Sequence, residues 1–135
     1  MPDPSEIERF VRQTLGCTCP DEVFRSIDVR EKVSLNSFLT LHAAIIVGNR
    51  LLIYIADAGT VGCIEEHLPV LLAAGRKERD EKGLNRFRLV LVADEPESIQ
   101  RIAEQQFGEL RGKDEKLHLH VIRGKDNPFA TESAT

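Results

Sequence analysis

The chain has no tryptophan, one tyrosine and one methionine in 135 residues. It therefore lacks the aromatic platforms on which single-stranded nucleic acid stacks. It also lacks a basic excess: 18 lysines and arginines face 22 aspartates and glutamates, for a net charge of −4. General phosphate-backbone binding needs a concentrated basic surface, so no general nucleic-acid binding is expected. No segment approaches the ~20 uninterrupted apolar residues that span a bilayer. The opening Met1-Pro2-Asp3-Pro4 has neither the basic nor the apolar region of a signal peptide. A cytoplasmic protein without a membrane association is expected. Cysteine is scarce too, and an odd count of three in a reducing compartment points away from a disulfide framework. Free thiols, metal ligation or redox exchange remain.

What is present reads as globular. With 41% hydrophobic and 30% charged residues, the chain has the composition of one folded domain and the length to bury a core without metal or disulfide staples. Asp3 as cap, Pro4 in the first turn and Glu6 as a capping-box partner predict a helix whose Ile7, Phe10, Val11 and Leu15 share one face, ended by Gly16. Pro20-Asp21-Glu22 suits a single helical turn, and Val23 to Val29 reads as extended. Leu41 to Val47 and Arg50 to Ala56 are strands joined by the turn pair Gly48-Asn49. The second is apolar on both faces, which places it inside a covered sheet.

Helix and strand then alternate: a helix from about Gly62 to Lys82, a strand from Phe87 to Ala93, a helix from Pro96 to Arg111 capped by Asp94, and a strand from Leu117 to Ile122. This alternation predicts a single α/β domain with a mixed sheet of about five strands, antiparallel at first and then parallel by crossovers, with helices on both faces. Residues 1–123 form that domain, and 124–135 read as a loosely ordered C-terminal tail. The order of elements resembles a restriction-endonuclease-like core. However, Leu51 to Ala56 offers neither the carboxylates nor the lysine that such nucleases use to hold a hard cation.

The chemistry-bearing feature is Gly16-Cys17-Thr18-Cys19-Pro20. Thiolates are soft donors suited to zinc or iron, and structural zinc usually takes four Cys and His ligands. Cys17 and Cys19 supply two. Cys63 and His67, four apart on a predicted helix, would complete a Cys3His set if Pro69 lets the helix start early enough. The same sulfurs serve redox exchange if a helix start lowers their pKa, an effect that Asp21 and Glu22 oppose at Cys19. Cys19 and Arg25 match the spacing of a tyrosine-phosphatase loop. The residues between them contain no glycine to cradle a phosphate, and that reading is rejected.

Several other positions are candidates. Gly59, Thr60 and Gly62 lie between a buried strand and a helix, where backbone N–H groups bind anions or a small ligand. Asp57 and Asp94 sit at strand ends where open α/β sheets place active sites. His118 and His120 share a strand face and could pair on a metal, while His42 has no companion in sequence. No residue is assigned a catalytic role.

The stretch from Thr14 to Phe24 with its Cys-x-Cys-Pro run, followed by Gly48-Asn49-Arg50-Leu51-Leu52-Ile53-Tyr54, resembles small prokaryotic proteins that carry a Cys-x-Cys-Pro opening. The resemblance implies no activity and brings no catalytic residue with it. The expected function is a small cytosolic thiol protein that uses Cys17 and Cys19 for soft-metal binding or thiol redox exchange. The alternative is a non-catalytic interaction or regulatory module, with a protein partner and incidental thiols.

Overall fold

The structure, a computed structural model, describes residues 2–18, 20–37, 39–58 and 61–129, with the side chains of 61–63 left out. The first helix, α1, spans Pro4–Arg9 and widens into a π turn over Phe10–Thr14. Its start is the expected one: Asp3 Oδ1 accepts the Glu6 N–H at 2.9 Å, and Pro4 occupies the first turn. A short 3-10 turn, Asp21–Arg25, precedes strand β1, Ile27–Asn36. Strands β2, Leu39–Val47, and β3, Leu51–Asp57, are joined through Gly48 and Asn49. Both turn residues have positive φ, 61° and 53°, as a mirror-image hairpin turn requires. Helix α2, Val61–Glu81, strand β4, Arg86–Ala93, helix α3, Pro96–Arg111, and strand β5, Leu117–Arg123, follow.

The five strands lie in the order β1-β2-β3-β4-β5. β1, β2 and β3 pair antiparallel, and β3, β4 and β5 pair parallel, so the sheet is mixed as the sequence predicts. Both crossovers step the same way along the sheet, and connections of one hand then lay their helices on one face. Ile64, Leu68, Leu71 and Leu72 of α2, with Ile99, Ala103 and Phe107 of α3, bury that face together with Leu52, Tyr54, Leu89, Leu91 and Leu117. On the opposite face Ile7, Phe10, Val11 and Leu15 cover Ala43, Ile45, Ile53, Ile55, Val90 and Ile122. Among the described residues no helix is long and apolar enough to cross a membrane.

Some expectations changed. The sequence places an extended run at Val23 to Val29, yet residues up to Arg25 close a 3-10 turn and the strand continues to Asn36. Arg30-Glu31-Lys32 hides it, because an edge strand can carry charges that break apolar alternation. Lys32 has φ 54° and is skipped in the β1–β2 pairing, whose register shifts between Ser34 and Asn36. Beyond it Val33, Leu35, Leu39 and Leu41 pack with the α2/α3 face, whereas Ile27, Val29 and Ile45 pack with the α1 face. Asp94 does not cap α3: Glu95 takes the cap position, without a side-chain capping bond. A 3-10 turn, Gly124–Asp126, leads to Asn127, which is 5% exposed, and Phe129 packs on the α1-side core.

Candidate functional site

The cysteine loop is built at the C-terminal end of the first helix. Gly16 takes φ 71°, which lets the chain reverse, and the Cys17 N–H then donates to Val11 O at 3.1 Å. Arg12 holds the far side of the loop. Its guanidinium lies 4.5 Å from the Phe24 ring centroid, and it donates to Asp21 at 2.7 Å and to Glu8 at 2.9 Å. Asp21, expected to oppose thiolate formation, therefore has its charge answered by Arg12. Cys17 packs against the α1-side core and is disulfide-bonded.

Cys17 borders a cavity of about 360 Å³ at the amino ends of β3 and β4. Gly16, Thr18, Pro20 and Val23 form one wall, and Arg50, Leu51, Asn85, Arg86 and Arg88 form the other. Three guanidiniums thus meet a sulfur atom in a lining that, among the described residues, contains no carboxylate. A shallower opening beside it shares Arg50, Pro20 and Val23 and adds Glu22.

Strand periodicity explains how the arginines arrive there. Arg86, Arg88, Val90 and Val92 alternate onto the α1-side face, as do His118, His120 and Ile122 of the neighbouring β5. Toward the strand starts that face is left to the arginines and histidines. Arg86 Nη1 donates to His118 Nε2 and Arg88 Nη1 donates to His120 Nε2, both at 2.9 Å. Arg88 also donates to Leu15 O at 3.3 Å, which ties β4 to the loop before Cys17. Its Nε is buried without a hydrogen-bond partner.

A guanidinium has only donors, so each histidine accepts through a neutral Nε2. Burial, helped by the Arg88 charge, lowers both histidine pKa values, His120 to about 4. The lone pairs that would have ligated a metal from His118 and His120 are used by the arginines. Burial and the neighbouring Arg86 also lower the pKa of Arg88.

The other nominated residues fall elsewhere. His67 lies on α2 beside Ala58, Ile64 and Leu91, on the opposite face of the sheet from Cys17. Cys63 belongs to the same helix, and its side chain lies outside the described residues, as do Cys19, Gly59 and Thr60. Gly62 is in the first turn of α2, which runs helically through Pro69. Among the described residues no three His, Cys, Asp or Glu side chains gather as a metal site. The Cys3His set would have to bring Cys17 and His67 together across the sheet.

Sequence reasoning missed Arg50, Arg86 and Arg88. The available signal was period two: Arg86 and Arg88 alternate in β4 as His118 and His120 do in β5. It also missed the partners of His42. Asn127 Nδ2 donates to His42 Nδ1 at 3.0 Å, which leaves the proton on Nε2, 3.1 Å from Asp57 Oδ2. This relay sits at the carboxyl end of β3, away from the cavity. The strand order never reverses, so no switch-point crevice forms at that end. Asp94 is exposed there.

No family model, curated protein or solved structure matches the chain.

Proposed function

We propose that the protein carries out thiol–disulfide exchange at Cys17, with Cys19 as the resolving thiol, in the cytoplasm where small thiols are kept reduced. The observation that carries this reading is the position of Cys17 in a cavity lined by Arg50, Arg86 and Arg88. Positive charge beside a cysteine favours the thiolate, which is the attacking species. The same charge repels a metal cation, and a sulfur held in a disulfide offers no thiolate to one. Exchange is therefore favoured over soft-metal ligation by zinc or iron.

In the oxidising direction the Cys17 thiolate attacks one sulfur of a small disulfide RS–SR. The S–S bond breaks, and RS⁻ leaves with the electron pair and takes a proton from solvent. Cys19 then attacks the mixed disulfide at the Cys17 sulfur, forming the protein disulfide and releasing the second RS⁻. The protein dithiol loses two electrons and the small disulfide gains them.

The test mixes reduced protein with a limiting small disulfide, traps free thiols by alkylation and weighs the intact chain. The wild type is expected to release both halves of the disulfide and to end oxidised at Cys17. Cys17→Ser, which lacks the attacking sulfur, is expected to release neither half. Identical thiol release by the two proteins would remove Cys17 from the reaction.

A further inference from the structure

The arginine wall has a charge imbalance that the thiol alone does not answer. Arg12, Arg30, Arg79 and Arg123 each meet a carboxylate. Arg50, Arg86 and Arg88 have no carboxylate within ion-pair reach among the described residues, although acids outnumber bases in the chain. Arg86 and Arg88 spend one Nη each on a neutral histidine, an acceptor that cancels no charge. Packing guanidiniums together beside a core is unfavourable unless something anionic offsets them. The histidines and Leu15 O fix the orientation of Arg86 and Arg88 while leaving other N–H groups unused, and Arg88 Nε is buried and unpartnered. Asn85 adds an amide to the same wall.

Planar guanidiniums held in this way match the paired oxygens of a phosphate or carboxylate. A volume of about 360 Å³ suits a small molecule and excludes a folded partner. We propose that Arg50, Arg86 and Arg88 form an oxyanion site that holds the phosphate or carboxylate end of a small anionic disulfide while Cys17 exchanges with its sulfur. The identity of the ligand as a disulfide rests on the exchange reading above. The oxyanion site itself does not, because the guanidiniums act whatever Cys17 does. His118 and His120 are positioning residues: they aim Arg86 and Arg88 and take no part in exchange.

Two measurements separate these layers. The first is binding of a non-reactive oxyanion to Cys17→Ser, followed by thermal shift and calorimetry with inorganic phosphate and with succinate, against chloride at matched ionic strength. A saturable stabilisation by phosphate or succinate is expected. Arg50→Gln and Arg86→Gln, both at exposed positions where folding is not at stake, should each weaken it by about 10-fold, the loss of one charge-assisted contact. Tighter phosphate assigns a phosphate-bearing ligand, and tighter succinate a carboxylate-bearing one. Equal shifts with chloride, or arginine variants that bind as well as their parent, would overturn the site even if exchange is confirmed.

The second measurement compares exchange rates of wild-type protein with oxidised glutathione, which is anionic, and cystamine, which is cationic. Glutathione is expected to react about 10-fold faster relative to its solution rate, and Arg50→Gln should erase that preference. Equal relative rates would overturn the assignment of the anion as part of the disulfide, and phosphate binding by Cys17→Ser would still be read independently.

Discussion

His120 accepts a hydrogen bond from Arg88 through Nε2 at 2.9 Å, and an imidazole that accepts at that atom is neutral. Burial, the Arg88 charge and His118 hold its pKa at about 4, against 6.5 for an exposed histidine. The unfolded chain therefore binds a proton between those values that the folded chain refuses. Stability is at its full value above about pH 6.5 and falls as pH drops toward 4, by an amount on the order of 2–3 kcal/mol from this group. Glu78 and Asp114, whose carboxyls the fold holds below their ordinary values, add their losses at lower pH. Urea unfolding at pH 7, 6 and 5 measures the slope. His120→Gln keeps an acceptor for Arg88 without titrating, and its slope across this range should be shallower than that of the wild type; an unchanged slope would place the acid sensitivity elsewhere. At this scale the sequence disclosed Cys17, because two cysteines in one loop are conspicuous, and it disclosed that His118 and His120 share a face. It could not disclose what they face. The Arg86–His118 and Arg88–His120 contacts depend on the β4–β5 register, which brings together residues 32 apart.

At the scale of elements, α2 is held against β4 by a close approach that only glycine permits. A Cβ built on Gly75 would lie 2.2 Å from the Phe87 ring, and that ring packs edge-on against Tyr54 with centroids 4.9 Å apart. Below Gly75 on the same helix, Glu78 accepts from the Tyr54 hydroxyl and meets both Arg30 and Lys82. Helix propensity alone would reward Gly75→Ala by about 1 kcal/mol, but overpacking a rigid aromatic core costs about 1–3 kcal/mol and the displaced helix also strains the Glu78 contacts. A net loss of about 1–2 kcal/mol in denaturant unfolding is expected, with Gly108→Ala, which meets nothing, stabilising or neutral. A stabilised Gly75→Ala would show that α2 lifts off the sheet freely. The helices and inner strands were legible because their apolar periods are long and uninterrupted; α3 falls on Pro96–Arg111 as the sequence predicts. β1 was obscured by its charged middle. The π turn at Phe10–Thr14 preserves the burial of Phe10, Val11 and Leu15, so apolar spacing gives no sign of it.

Across the whole molecule the two ends of the parallel strands have different jobs. The amino ends of β3 and β4 open onto the Cys17 cavity, while the carboxyl end of β3 is closed by the Asp57, His42 and Asn127 relay. Asn127 is the clasp of the C-terminal segment: its amide donates to His42, and its Oδ1 accepts the Phe129 N–H at 2.9 Å. Both bonds are made by a side chain that is 5% exposed, so losing them leaves His42 Nδ1 and the Phe129 amide to find water. Asn127→Ala should cost about 1–2 kcal/mol and, more specifically, release residues 124–129 from the sheet before the rest unfolds. Limited proteolysis followed by mass analysis reads this directly, as cleavage after Arg123 or Lys125 at protease levels that leave the wild type whole. Because the clasp lies at the far end of β3 from Arg50 and Cys17, the same variant should bind phosphate and exchange disulfides as the wild type does. If releasing the clasp changed either property, the two ends of the sheet would be coupled, and the cavity could no longer be treated as a site built by the amino ends alone.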